Sequence, residues 1–111
     1  MAEQTTTPAG TAKTVLLTGG GGFLGTAMTV RLTRDGHRVA VVDRDHDTAQ
    51  ASAAGADPAG TAIAYACDVA DKAALVALKQ QVEADLGPVE VLICGAATKS
   101  DNFFEPFESF P

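Results

Sequence analysis

The 111-residue chain is poor in the residues that would commit it to several large classes of protein. It has only two cysteines, Cys67 and Cys94, too few for a disulfide framework and with no paired metal-ligand spacing to His37 or His46. Free thiols suit a reducing, cytoplasmic compartment. Lys and Arg together number 8 against 14 Asp and Glu, giving a formal charge of −6 without any basic run. Nucleic acid is therefore excluded as an expected partner, and an anionic ligand would have to be held locally by backbone dipoles. No apolar stretch approaches the ~18 residues of a membrane span. Residues 1–12 are polar and lack the apolar centre of a secretory signal, so they read as a disordered tail.

What is present is strong alternation. Apolar content is 46 %, enough for one small core. The stretch KTVLLTGGGGFLG, from Lys13 to Gly25, joins a short apolar run to four consecutive glycines and then to a segment of helical character. From Phe23 to Asp35, Leu24, Met28 (or Ala27), Val30 and Leu32 recur at near-helical intervals, with Arg31, Arg34 and Asp35 on the other side. Gly36 ends that helix, and His37 reads as a surface or packing residue at the corner before the next strand. Arg38 to Asp43 (RVAVVD) is a second apolar strand, of the kind covered on both faces in a parallel sheet. A short alanine-rich helix is expected from Asp45 to Ala54, a third strand from Thr61 to Cys67, and a helix from Asp71 to Leu86 with Leu75, Leu78, Val82 and Leu86 as its apolar stripe. Val89 to Ile93 completes the series as a fourth strand.

Four strands alternating with three helices through short links imply a parallel α/β sheet with right-handed crossovers and strand order 3-2-1-4. A ligand crevice then lies outside the carboxyl ends of the strands, between the first and fourth, where the order reverses. Several unusual residues fall on that one edge. Gly19, Gly22 and Gly25 fit a G-x-x-G-x-x-G phosphate turn, in which Gly19 allows the chain to leave the strand, Gly20, Gly21 and Gly22 offer bare backbone N–H groups to a pyrophosphate, and Gly25 lets the helix lie close to the strand. Asp43 follows Gly19 by 24 residues, where a carboxylate would accept hydrogen bonds from an adenosine ribose and favour NAD over NADP; the alternative is a helix N-cap. Arg44 beside it could reverse that preference by pairing with a 2′-phosphate. Asp68 and Val69 could meet an adenine ring, or Asp68 could be a cap, although Asp71 is the better cap candidate. Gly95, Ala96 and Ala97 would let a flat ligand lie on the backbone. The same topology places Cys67 and Cys94 on strands separated by two others, about 14 Å apart at the usual strand spacing, beyond the roughly 7 Å between Cα atoms that a disulfide bridges.

Together these residues resemble the amino-terminal half of the short-chain dehydrogenase/reductase family. Thr18-Gly19-x-x-Gly22-x-x-Gly25 is similar to the TGxxGxxG form of its extended branch, as is Ala96-Ala97 after strand four, whereas Cys67-Asp68-Val69-Ala70-Asp71 is similar to the branch with smaller subunits. The resemblance implies a Rossmann-type fold, cut off after the fourth strand, with a dinucleotide-binding domain over residues 13–97. It implies NAD as cofactor, with NADP possible, and at Phe23 and Leu24 a helix start within the binding turn. Family members transfer a hydride between nicotinamide and an alcohol or carbonyl carbon, a Tyr-x-x-x-Lys pair handling the proton. Tyr65 is the single tyrosine, lies inside the third strand and is followed four residues later by Val69, so it cannot serve, and Ser52, Ser100 and Ser109 complete no such group. Residues 102–111 read NFFEPFESFP and carry Phe103, Phe104, Phe107 and Phe110, four of the five phenylalanines. The expectation is an inactive cofactor-binding portion of a longer, homo-oligomeric enzyme, whose small-molecule substrate meets only the full-length form. A stand-alone NAD(P)-binding regulatory module and an S-adenosylmethionine-binding domain are the alternatives, the latter disfavoured because that cofactor has no pyrophosphate.

Overall fold

In the computed structural model, residues 11–95 are described, and they form β1 (Thr14–Thr18), α1 (Phe23–Arg34), β2 (Arg38–Asp43), α2 (His46–Ala54), β3 (Thr61–Ala66), α3 (Lys72–Leu86) and β4 (Val91–Cys94). The four strands are parallel and hydrogen-bonded in the order β3-β2-β1-β4, as the alternation of elements implied. The expected tail at residues 1–10, the Ala96-Ala97 pair and the phenylalanine-rich stretch lie outside the described residues.

The sheet is buried from both sides because its central strands are continuously apolar through their middles, Val15 to Leu17 and Val39 to Val42. Val15, Leu17, Val39 and Val41 point to one face and meet Ala49 and Ala53 of α2 with Met28 and Leu32 of α1. Leu16, Ala40 and Val42 point to the other and meet Leu78, Val82 and Leu86 of α3. This period-two division is what continuous Val/Leu runs produce in a two-sided sheet. At the amino edge, Thr14 Oγ1 donates to the carbonyl of Leu86 at 2.8 Å, and Arg38 Nε donates to the same carbonyl at 2.9 Å. These bonds satisfy a carbonyl that the end of α3 would otherwise leave without a partner. Lys13 N–H donates to His37 Nδ1 at 3.0 Å, so that histidine serves the packing of a strand entrance.

The helix ends follow local chemistry. Asp45 caps α2 by accepting from the Asp47 amide, and Asp71 caps α3 by accepting from the Ala74 amide. The inner face of α1 differs from the apolar stripe expected for it. Its buried residues are Gly25, Thr29 and Thr33, while Leu24 is 69 % exposed. Each threonine hydroxyl is satisfied within the helix, Thr29 by the Gly25 carbonyl at 2.9 Å and Thr33 by the Thr29 carbonyl at 2.7 Å, so both can be buried. Strand β4 stands at one edge of the sheet and presents Leu92, 60 % exposed, on the α3 side. Among the described residues no helix is long and apolar enough to cross a membrane.

Candidate functional site

The turn after β1 is built from backbone alone. Gly19 has φ +70°, a left-handed conformation that turns the chain off the strand and that side chains strongly disfavour. The Gly20 amide donates to Val42 O at 2.9 Å, the Gly21 amide to Asp43 Oδ2 at 3.2 Å and the Gly22 amide to Gly19 O at 3.1 Å. The Gly20 and Gly21 amides thus brace the turn against β2, and the Gly22 amide closes the turn on Gly19.

The donors that remain at this edge belong to the helix. The first backbone bond into α1 runs from the Thr26 amide to Gly22 O at 2.9 Å, so the Phe23, Leu24 and Gly25 amides precede the ladder. Gly22 occupies the N-cap position without a side-chain cap. An uncapped helix start combines free amide direction with the positive end of the helix dipole, a combination suited to a phosphate. Over it lies a cavity of about 230 Å³ lined by Thr18, Gly19, Gly22, Phe23, Leu24, Gly25 and Gly95 among others. Gly25 is packed more tightly than a helix-on-strand contact requires: a Cβ there would lie 2.6 Å from Gly20 Cα and 2.7 Å from Gly19 O. It keeps the helix start against the turn itself, not against the strand.

Asp43, at the tip of β2, is not a helix cap; Asp45 holds that position. Both carboxylate oxygens of Asp43 are held by backbone, Oδ2 by Gly21 and Oδ1 by the Asp45 amide at 3.2 Å. Arg44 beside it is exposed. At the next strand tip, Asp68 accepts from the Ala70 amide at 3.0 Å through Oδ1, and its carbonyl accepts from Asp71 at 2.9 Å, so its bonds lie within its own link. Val69 lines a second, larger groove of about 570 Å³ between α3 and β4, together with Thr18, Leu75, Leu92 and Cys94. Gly95 closes the site's far side, its amide donating to Thr18 O at 2.9 Å. Thus the glycine turn, Asp43 and Gly95 are joined by direct contacts, while Asp68 and Val69 sit one strand away on the same carboxyl edge.

Thr18, read from the sequence only as the start of the glycine motif, lines both cavities at the point where the strand order reverses. One residue escaped the sequence reading altogether. Thr48, in the first turn of α2, sits against Gly21: a Cβ added to that glycine would lie 2.4 Å from Thr48 Cγ2. Nothing in the spacing of Thr48 marks it; only the packing does.

The remaining reactive groups are occupied elsewhere. Tyr65 donates its hydroxyl to Asp85 Oδ2 at 2.7 Å on the α3 side, and burial, reinforced by that carboxylate, pushes its phenol above the usual tyrosine range. Burial first, with the charges of Asp68 and Asp71 behind it, pushes the Cys67 thiol up, which disfavours the reactive thiolate. Cys67 and Cys94 are both free.

The model of the short chain dehydrogenase family matches residues 13–110. The chain belongs to the short-chain dehydrogenase family. Relatives of this short-chain dehydrogenase chain include the uncharacterized oxidoreductase UxuB of Bacillus subtilis (strain 168), 36 % identical over 103 residues, covering 88 % of this chain and 36 % of the relative. The 3-oxoacyl-[acyl-carrier-protein] reductase MabA of Mycobacterium tuberculosis (strain ATCC 25618 / H37Rv) is 37 % identical over 92 residues, 83 % of this chain and 33 % of that protein. Among solved structures, a candidate D-mannonate oxidoreductase from Haemophilus influenza with bound NAD superimposes with a TM-score of 0.74 at 28 % identity, over 86 % of this chain and 36 % of its own. NAD+-bound xylitol dehydrogenase matches with a TM-score of 0.68 at 30 % identity, over 72 % of this chain and 31 % of its own. The present short-chain dehydrogenase sequence thus spans about a third of the length of these relatives.

Proposed function

We propose that this chain is the NAD-binding part of a short-chain dehydrogenase and that it carries no catalytic residue of its own. The diphosphate rests at the start of α1, on the amides of Phe23 and Leu24 above Gly19, Gly22 and Gly25, with Gly20 and Gly21 bracing the turn from behind. Asp43 takes the adenosine ribose, Arg44 flanks it, Asp68 and Val69 meet the adenine, and Gly95 lies under the flat part of the ligand. The observation that carries this reading is the geometry of Asp43: a carboxylate held at both oxygens by amides, one of them from the phosphate turn itself. A ribose diol can donate to such an acceptor, whereas a 2′-phosphate meets a fixed like charge.

The cavity over an uncapped helix start fits a diphosphate. The bound dinucleotide supplies the carbon that exchanges a hydride with an alcohol or carbonyl substrate. This chain's residues bind and orient it. Tyr65 is engaged by Asp85 and takes no part in proton transfer. Substrate binding and homo-oligomer formation belong to the full-length form.

Calorimetric titration of the folded chain with NAD and NADP tests the reading. NAD binds the more tightly, and Asp43→Ser weakens NAD by about ten-fold, the scale of a lost hydrogen bond to a charged group, while NADP, relieved of a like charge, binds more tightly. A chain that keeps its helical circular dichroism and gives no heat with either dinucleotide would overturn the proposal.

A further inference from the structure

The Asp43 carboxylate is positioned by more than its two hydrogen bonds. Thr48 Oγ1 donates to Asp45 Oδ2 at 3.0 Å, and that bond fixes the rotamer of a stiff β-branched side chain. Its methyl is thereby held against Gly21. A Cβ built on Gly21 would lie 2.4 Å from Thr48 Cγ2 and 2.9 Å from Asp43 Oδ2, so beside the Thr48 methyl there is no room for a second one at Gly21. The same Gly21 carries the amide that reaches Asp43 Oδ2.

We infer that Gly21 and Thr48 are positioning residues for cofactor selectivity: together they set where the Asp43 carboxylate sits, and hence how strongly the site prefers NAD to NADP. The inference rests on the assignment of Asp43 to the ribose. Its physical content is steric. Removing the Thr48 methyl opens room beside Gly21, so that the amide holding Asp43 Oδ2 can shift, and adding a methyl at position 21 crowds the carboxylate off that amide. Either change costs NAD, which uses the carboxylate as acceptor, more than NADP, which is repelled by it.

The experiment is a methyl exchange read as the ratio of dissociation constants, NADP over NAD, on the full chain. Thr48→Ser keeps the hydroxyl bond to Asp45 and loses only the methyl; Gly21→Ala adds a methyl that the native Thr48 leaves no room for. Each single variant lowers the ratio roughly five-fold, as expected for one weakened charge-assisted hydrogen bond. In the double variant the new Cβ occupies the vacated space, and the ratio recovers at least half of the lost discrimination on a logarithmic scale, so the two effects are not additive. The recovery is incomplete because, although the 2.4 Å contact with Thr48 Cγ2 is gone, the new Cβ still lies 2.9 Å from Asp43 Oδ2 and 3.0 Å from the Thr48 carbonyl carbon. Unchanged ratios in both single variants, or a double variant whose loss is the product of the two, would overturn the inference while leaving the NAD assignment standing. Should Gly21→Ala fail to fold, an unchanged ratio in Thr48→Ser is enough to overturn it. A wild-type chain that binds neither dinucleotide overturns both readings.

Discussion

Gly25→Ala is the sharpest test of how the phosphate turn is built. The substituted Cβ would face Gly20 Cα at 2.6 Å, Gly19 O at 2.7 Å and Gly20 C at 2.7 Å, all of them backbone atoms. No rotamer change relieves such a contact; α1 must lift from the turn or the turn must deform. Overpacking of this kind costs roughly 1–3 kcal/mol. Alanine returns up to about 1 kcal/mol through helix propensity, which leaves a net loss of about 0–2 kcal/mol. For a domain of this size that lowers Tm by up to roughly 15 °C. Gly55→Ala is the matched control, since its Cβ would meet only Ser52 O at 3.5 Å. Thermal unfolding followed by circular dichroism, with both variants beside the wild type, decides the matter. A Gly25→Ala variant as stable as Gly55→Ala would refute the claim that helix and turn are in rigid backbone contact. Because the displaced amides are those assigned to the diphosphate, Gly25→Ala weakens NAD at the same time.

Gly22→Ser separates these two effects. Gly22 has φ −76° and ψ 177°, which serine adopts freely, and a serine cap on α1 stabilises the fold by a few tenths of a kcal/mol; its hydroxyl takes the amide assigned to the ligand, so calorimetry should find NAD weaker. Acid unfolding tests the cap of α2. The Thr48 hydroxyl, followed by the Asp47 amide, holds the Asp45 carboxyl below its usual 3.8, so the ionised form is the one favoured in the fold. Its contribution is complete above pH ~4 and drains away as the pH falls through the lowered value, so Asp45→Asn should flatten the acid limb of urea midpoints measured between about pH 5 and pH 2.5. Tyr65 gives an alkaline readout free of other tyrosines or tryptophan. Its phenolate absorbance should rise only above the ordinary value of 10 in the folded chain and near 10 in urea, and native stability should fall as the pH climbs past 10; coincident titrations would remove the Tyr65–Asp85 bond from the structure.

The order of elements and the pairing of strands were legible because each rests on a local pattern. Val39 to Val42 can only be a strand covered on both faces, and Leu78, Val82 and Leu86 can only be one side of a helix. Asp71 as a cap was legible for the same reason, a short acid directly before a periodic run. The inner face of α1 was not. Hydropathy ranks Leu24 above Thr29 and Thr33, yet the threonines are buried because their hydroxyls return to the carbonyls one turn earlier, and the leucine is exposed because it stands at the helix start over the cavity. The fate of the glycine amides was equally hidden. Whether Gly20 and Gly21 are free depends on Val42 O and Asp43 Oδ2, groups more than twenty residues away that spacing alone does not place.

The closeness of α1 to the turn and the readiness of its first amides meet in one short link. Only four residues, 19–22, separate the end of β1 from the start of α1, so the helix must begin where the strand stops. The buried face that follows carries Gly25, Thr29 and Thr33, while Met28 and Leu32 pack against the sheet. All four link residues are glycine, so none offers a side-chain cap, and Gly22 at the N-cap leaves α1 uncapped. On the opposite face, α3 starts from a capping aspartate and buries leucine and valine, and its amino end is satisfied without a ligand. The two helices thus divide the labour. α3 stabilises the sheet, whereas α1 leaves part of its own hydrogen bonding unmet and aims it at the carboxyl edge beside Asp43. A substitution that supplies the missing cap must therefore gain stability and lose ligand together, and that opposition follows from the glycine at the N-cap.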